Sequence, residues 1–309
     1  MDTDFFTFLL QQQESLTPLN TAVVHPVDNH SLKGAVEAAR QGIITPIFVG
    51  PESKIYAAAE SEDIDLSRFQ IIHTQHSHAA AECAVDLVRA GQADALMKGK
   101  LHTDELMNAV LHKEKGLRTG RRMSHVLTME VPTYHKPLFL TDAAINIRPD
   151  LTTKQDITQN AIDLFLSLNI GKPNVAIVSA VETVTERIPS TLDATALCKM
   201  AERGQIIGAN IDGPLGFDNA ISKEAAESKG IISAVAGDAD IIVVPDLESG
   251  NMLYKQMSFL SKVESAGIVL GARVPIILTS RATKSSIART ASCALAAIYQ
   301  HNQQLLVNA

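Results

Sequence analysis

Short aliphatic runs that recur between longer, helically periodic stretches constrain this chain more than any other feature. Thr21–His25, Pro46–Gly50, Phe69–His73 and Ala93–Met97 each read as a strand, and each is followed by a helical stretch. Successive strand residues face opposite sides, so a run that is apolar at consecutive positions is buried on both faces. Burial of that kind belongs to a parallel sheet covered by helices, and strand–helix alternation predicts an α/β fold. The stretch 77–90 carries Ala84, Leu87 and Val88 on one face with Ser77 as a predicted N-cap, and 103–111 opens on Thr103, Asp104 and Glu105. Residues 2–14 read as a short amphipathic helix laid on the body.

The rhythm breaks at Lys113–Met123, which holds two glycines and five Lys or Arg residues in eleven positions and reads as a loop. His125–Val131 and Lys136–Thr141 are β-like runs that either pair antiparallel or cross between domains. A second α/β series begins near residue 138. Its first helix has an apolar stripe at Ile157, Ala161, Leu164, Phe165 and Leu168, ended by Gly171 and Pro173. Strands are predicted at Asn174–Ser179, Ile206–Ile211 and Ile241–Val244, with helices from about Ser190 and Asn219. At 309 residues the chain exceeds one compact core, so two domains are expected.

Composition narrows the function class. A formal charge of −7 argues against general nucleic-acid binding while leaving room for a local basic pocket. Trp is absent and aromatics are scarce, so the core is aliphatic. Cys83, Cys198 and Cys293 form no C-x-x-C pair and sit in apolar helical patterns, as reduced packing residues do. The start MDTDFFTFLLQQQ has acids where a signal peptide has positive charge, and its apolar run is too short to span a bilayer. A cytoplasmic protein without a membrane partner is the expectation.

Pro245–Ser286 carries the strongest chemical signal. A buried strand leads through a glycine-marked turn to a helix at Glu248–Lys262, then to a short apolar segment at Gly267–Leu270. A second strand at Val274–Thr279 ends on the polar corner Ser280–Arg281. Both corners follow strands, and ligands of open α/β sheets sit beyond strand carboxyl ends. Helix starts offer N–H groups to anions, and the second corner adds hydroxyls and a guanidinium, so the expected ligand is an oxyanion.

The run P-D-L-x-x-G-N-x-x-Y-K, followed by a strand ending in S-R, resembles the phosphate acetyl/butyryltransferase family. MKGKLHT (97–103), GLRTGRRMSH (116–125), FLTDAAINIRPD (139–150), SAVETVTERIPST (179–191) and GPLGFDNAIS (213–222) extend the resemblance over nearly the whole chain. The T-D-A-A-I-N-I and G-P-L-x-x-D-N-A-I-S runs sit closer to the butyryl branch. The resemblance implies two doubly wound α/β domains with a cleft between them, similar to isocitrate and isopropylmalate dehydrogenases. Residues 1–137 with 272–309 would form the first and 138–271 the second. It also implies exchange of a short acyl group, butyryl or acetyl, between coenzyme A and inorganic phosphate by direct attack in a ternary complex. Coenzyme A would be a substrate, no cofactor would be held permanently, no metal would be bound, and the chain would be a homodimer.

That reaction is served by positioning and fixed positive charge. Arg281 is the first candidate for the phosphoryl group, since a guanidinium grips oxygens in a bidentate fork. Ser280 is placed to hydrogen-bond the carbonyl oxygen or the thiol. The bland alternative is a helix cap at Ser280 or Thr283 and a solvated Arg281. Arg118 matches the family in the G-L-R-T-G loop, as a ligand for phosphate or the coenzyme A pyrophosphate, while a basic loop is also ordinary solvated surface. Ser124 lies beside it. Lys98, His102 and Thr103 follow a strand, with Gly99 permitting close backbone approach; His102 is either a base or a surface residue. Thr141, Asp142, Asn146, Ser179 and Glu182 match family segments after strands. Gly250 and Asn251 match the first corner, where turn chemistry and a first-turn helix residue are the alternatives.

The chain departs from the family at one point. A carboxylate ordinarily follows S-R within a few residues, proposed to take the thiol proton, and this chain reads SRATKSSIAR, with no acid from Ala282 to Arg289. The base is unassigned, although a thiol titrating near about 8.5 is already a few per cent thiolate at neutral pH, a fraction that Arg281 or Lys284 would raise. His73, His76 and His78 have no acid to complete a metal set and read as surface histidines. No G-x-G-x-x-G or Walker motif occurs. Two alternatives accompany the transferase reading. One is a metal- and NAD(P)-dependent decarboxylating dehydrogenase using Asp142, Asp212 and Asp246; the other is a non-catalytic acyl-CoA-binding protein that has lost its base.

Overall fold

A computed structural model describes residues 4–278 and 286–308. The chain begins with α1 (Phe5–Gln13), β1 (Leu19–Val24), α2 (Asn29–Arg40), β2 (Ile44–Gly50), α3 (Glu52–Glu60), β3 (Gln70–His73), α4 (Ser77–Arg89), β4 (Ala95–Lys98) and α5 (Thr103–Val110). It continues with β5 (Ser124–Glu130), β6 (Leu138–Thr141), α6 (Leu151–Ser167), β7 (Asn174–Val178), α7 (Pro189–Glu202), β8 (Asn210–Leu215), α8 (Phe217–Ile221), α9 (Lys223–Ser228), β9 (Ile241–Val243) and α10 (Leu247–Leu260). It closes with β10 (Glu264–Leu270), β11 (Ile276–Ile277) and α11 (Ser286–Asn308). Contacts divide it into two compact units: one runs to Arg121 and resumes at Ala266, the other is Arg122–Ser265. The resemblance implies divisions at 137/138 and 271/272.

In the first unit the strands run β3-β2-β1-β4-β11-β10, parallel except for the β10–β11 pair. Ala22, Val23 and Val24 of β1 are all fully buried, which requires cover on both faces. Helix α11 packs on α1 and α2, and α4 packs on α5 and crosses β1 and β2. The chain proceeds outward from β1 to β2 to β3 and then returns through α4 to place β4 on the other side of β1. The reversal puts a topological switch point between β1 and β4, where a crevice opens at the carboxyl ends.

The second unit orders its strands β5-β6-β9-β7-β8, with β5 antiparallel to β6 and the others parallel. Its core joins Leu140, Ala176, Ile242, Val244 and Met257. Inward aromatic packing is supplied by Phe139 on β6 and Phe165 on α6, with ring centroids 5.1 Å apart.

Three local expectations change. The cap of α4 is His76, whose extended backbone lets its ring nitrogen Nδ1 accept from the Ala79 N–H, because the Ser77 hydroxyl is bonded to Glu105 instead. The strand predicted at Ile206–Ile211 lies at Asn210–Leu215, because Ile207 is exposed and Gly208 turns the chain at φ 88°. The run at Val274–Thr279 contributes only Ile276–Ile277 as strand, and Thr279 lies outside the described residues.

Phe139 is fully buried. Phe139→Ala is expected to lower unfolding stability by about 3–5 kcal/mol in urea denaturation. A loss below about 1 kcal/mol would show that the aromatic pair is not what holds β6 to α6.

Candidate active site

Each unit presents its polar residues at the carboxyl edge of its own sheet. In the first, β4 ends on half-buried Lys98, and the chain turns through Gly99 against the end of β1. The Gly99 N–H donates to the Val24 carbonyl and the Lys100 N–H to that of His25, both at 2.9 Å. A Cβ on Gly99 would lie 2.4 Å from the Val24 oxygen and 2.7 Å from the His25 oxygen, so only glycine fits. His25 itself occupies the left-handed region at φ 55°, and its Nδ1 lies 2.7 Å from the Lys100 carbonyl oxygen. His102 caps α5 by position without a side-chain hydrogen bond, and Thr103 opens the helix.

Arg118 is exposed on the segment that follows α5. It bridges antiparallel to Ala272, while Arg273 N–H donates to Leu117 O at 2.9 Å and Thr119 Oγ1 to Gly271 O at 2.7 Å. The basic stretch is therefore docked onto the β10–β11 connection. Ser280 and Arg281, together with Thr283 and Lys284, lie outside the described residues.

The second unit is built around the Asp142 carboxylate. Its Oδ1 accepts from the Ala144 and Ile145 N–H groups at 3.0 and 3.1 Å, and its Oδ2 from Asn146 N–H at 3.0 Å and Asn146 Nδ2 at 2.6 Å. Asn146 Nδ2 also donates to Met123 O at 2.8 Å, and Thr141 Oγ1 donates to His125 O at 2.9 Å. Gly250 lies inside α10, where a Cβ would stand 2.7 Å from Val244 Cγ2 and 3.0 Å from the Asp142 carbonyl oxygen. Asn251 Nδ2 donates to Ala143 O at 3.1 Å. Thr141, Asp142, Asn146, Gly250 and Asn251 thus form one corner between β6 and β9.

The other predicted residues stand apart from that corner. Ser179, at the end of β7, is buried and shares a hydrogen bond of 2.8 Å with Ser190. Glu182 pairs with Lys229 at 3.0 Å, a bond that holds its carboxyl below the usual range. Ser124 is fully buried, and its oxygen accepts from Asn160 Nδ2 at 2.9 Å.

Two residues at these edges escaped the sequence reading, His25 and His125. A left-handed φ is invisible in sequence, and the only trace of His25 is the His-Pro step after an apolar run. His125 is buried, and neither ring nitrogen has a hydrogen-bond partner. Burial pushes its pKa down to about 4, against the opposing pull of the Asp142 charge.

Residues 77–297 match the family profile described as "Phosphate acetyl/butaryl transferase". The chain belongs to the phosphate acetyl/butyryl transferase family. A phosphate acetyltransferase of Rhizobium meliloti is 59% identical over 291 residues, 94% of this chain and 92% of the relative. A phosphate butyryltransferase of Clostridium acetobutylicum is 40% identical over 298 residues, 96% of this chain and 99% of the relative. The crystal structure of a branched-chain phosphotransacylase from Enterococcus faecalis V583 superposes with a TM-score of 0.77 at 29% identity, covering 92% of this chain and 99% of that one.

The protein is accordingly an acyltransferase that uses phosphate. The T-D-A-A-I-N-I run that resembles the butyryl branch is the Asp142-anchored loop, whose polar atoms are bonded to one another. In the G-P-L-G-F-D-N-A-I-S run, a Cβ on Gly216 would fall 2.7 Å from Asp218 Oδ1 and 2.8 Å from Asn219 Oδ1. Both runs have local structural reasons for their residues. Among the described residues no group of three His, Cys, Asp or Glu converges as a metal site. Of the three clustered histidines, His73 and His76 each accept a backbone N–H through Nδ1, and His78 lies 3.7 Å from Glu105. No described helix is long and apolar enough to cross a membrane.

His125 gives the second unit a pH signature. Its folded pKa lies below the unfolded value near 6.5, so between about 4 and 6.5 the unfolded chain binds the extra proton. The stabilisation is complete above about 6.5 and is lost on acidification at roughly 1.4 kcal/mol per pH unit. Subtracting the urea-unfolding free energy of His125→Leu from that of the unsubstituted protein is expected to expose this slope. A pH-independent difference would show that the ring is not buried uncharged.

Proposed function

We propose that the chain catalyses reversible transfer of an acetyl group between coenzyme A and inorganic phosphate, by direct attack in a ternary complex. The observation that carries the acetyl assignment is 59% identity with a protein named phosphate acetyltransferase over more than nine-tenths of both chains, against 40% for a named butyryltransferase. Coenzyme A is a substrate in this reading and no cofactor is held permanently.

Arg281 grips the phosphoryl oxygens and Ser280 hydrogen-bonds the acyl carbonyl, polarising it as negative charge develops on its oxygen. Lys98, His102, Thr103 and Arg118 bind the anionic parts of the substrates. Placement of the first three at and after the end of a parallel strand, and the docking of the Arg118 segment against the β10–β11 connection, support that role. On the second unit, Thr141, Asp142, Asn146, Gly250 and Asn251 form that unit's own ligand-facing corner. The bonds that commit Asp142 to its own loop favour a positioning role for it over direct contact. Ser124, Ser179 and Glu182, whose side-chain oxygens are engaged within the protein, hold the structure of the second unit away from that corner.

We further infer a cytoplasmic homodimer whose domains follow the two compact units, each with its own ligand-facing edge. Exposed Met252, Phe259 and Leu260 share one face of α10 and favour self-association through the second unit.

Phosphate-dependent release of coenzyme A thiol from acetyl-, propionyl-, butyryl- and isobutyryl-CoA tests the assignment. The highest kcat/KM is expected with acetyl-CoA, and Arg281→Ala is expected to lower it by about 10²-fold or more. Faster release from butyryl-CoA would move the substrate to the four-carbon class, and an unaffected Arg281→Ala variant would remove Arg281 from the phosphate site.

A further inference from the structure

The carboxyl edge of the first sheet holds a histidine whose proton is placed by geometry. The His25 Nδ1 lies 2.7 Å from the Lys100 carbonyl oxygen. A carbonyl only accepts, so Nδ1 must carry the hydrogen, and the uncharged ring then keeps its lone pair on Nε2. Second-atom hydrogen bonding of this kind orients an imidazole as a base.

Further observations put this ring at the carboxyl edge of the sheet. His25 directly follows β1 at the switch point, beside β4, which is the strand flanked by β11 on its other side. The carboxyl ends of β1 and β11 are two strand spacings apart, about 10 Å. His25 is held at φ 55°, a conformation uncommon outside glycine, and is only half-buried. Gly99 brings the β4 corner to 2.9 Å of the Val24 carbonyl and so fixes the Lys100 oxygen that orients the ring. Meanwhile the chain offers no carboxylate from Ala282 to Arg289.

We propose that His25 Nε2 is the general base that takes the proton of the coenzyme A thiol as sulfur attacks the acyl carbon. The inference rests on the acyl-CoA reading above. The S–H bond breaks to Nε2, the C–S bond forms through a tetrahedral oxyanion, and the bond from the acyl carbon to the phosphate oxygen breaks. The departing phosphate takes the proton from the imidazolium, and in the reverse direction His25 returns a proton to the thiolate. Titratable neighbours along this edge are Asp28 and His30 at the start of α2, His73 at the end of β3, and Lys98, Lys100 and His102 on the β4 corner.

Asparagine tolerates the left-handed region and its amide N–H can donate to the Lys100 oxygen, yet it holds no base. His25→Asn is therefore the decisive variant, assayed for acetyl phosphate plus coenzyme A with His25→Gln alongside. The expected result is a kcat about 10²-fold lower, KM values within about twofold, partial recovery with added imidazole, and loss of the rising limb of kcat/KM against pH. In the unsubstituted protein, that limb is expected to coincide with titration of the His25 ring followed by NMR, a readout independent of variant folding. An active protein whose His25→Asn form keeps the rate and the pH profile would overturn the base and leave acyl transfer standing. Raised KM without imidazole recovery would overturn it in favour of a structural role. An unsubstituted protein that releases no coenzyme A with any acyl group would overturn the acyl-transfer reading and the base with it.

Discussion

The seat of Gly99 against the carbonyls of Val24 and His25 is the contact on which the first unit's edge depends. Two parallel strands that diverge in chain direction leave a crevice at their carboxyl ends, and its depth is set by how closely the two exits approach. Here the exits are joined by backbone hydrogen bonds of 2.9 Å, with no room for a side chain between them. The close approach leaves His25 in a left-handed turn and brings the Lys100 carbonyl to its ring. One missing Cβ thus sets both the shape of the edge and the tautomer of the His25 ring.

The second unit solves a similar problem with charge. The loop after β6 would leave several N–H groups without partners at a sheet edge, and the Asp142 carboxylate collects three of them. A buried carboxylate is tolerated because those donors replace water. The consequence is a loop bonded to itself and held against α10, where Gly250 lets the helix approach. The His125 ring, which feels the charge of the same carboxylate, has no hydrogen bond and is held uncharged by burial, and that makes the second unit sensitive to acid.

Strand–helix alternation was legible because buried strands of parallel sheets are written as continuous aliphatic runs, and β1, β2 and β4 were located from them to within two residues. The error at Ile206–Ile211 has the same origin: Ile206, Ile207 and Ile211 read as one buried run, but Gly208 at φ 88° turns the chain inside it. The return of the C-terminal segment to the first unit came from family resemblance, since no local pattern encodes which sheet a distant strand joins. Segment matches picked out Asp142, Asn146, Gly250 and Asn251, and the structure gathers them into one corner. They did not separate residues that meet a ligand from residues that hold the loop, because both kinds recur in a motif. Ser124 shows the difference: it follows the basic loop in sequence, yet its hydroxyl is buried and bonded to Asn160. Likewise the runs resembling the butyryl branch have local packing reasons for their residues.

A histidine in place of a loop carboxylate has an electrostatic logic of its own. Acyl phosphate and coenzyme A bring several negative charges to one edge, and a carboxylate base adds another before any proton moves. In a partly desolvated site that repulsion grows as the dielectric falls. An imidazole enters the reaction uncharged and becomes a cation on accepting the thiol proton, as negative charge develops on the carbonyl oxygen and the departing phosphate. Its interaction with the reacting atoms therefore strengthens on the way to the transition state, which is the condition for lowering a barrier without tightening the ground state. Lys98 and Lys100, on the neighbouring corner, attract the anionic substrates. A base without charge beside fixed cations is consistent with the oxyanions this edge is read to bind.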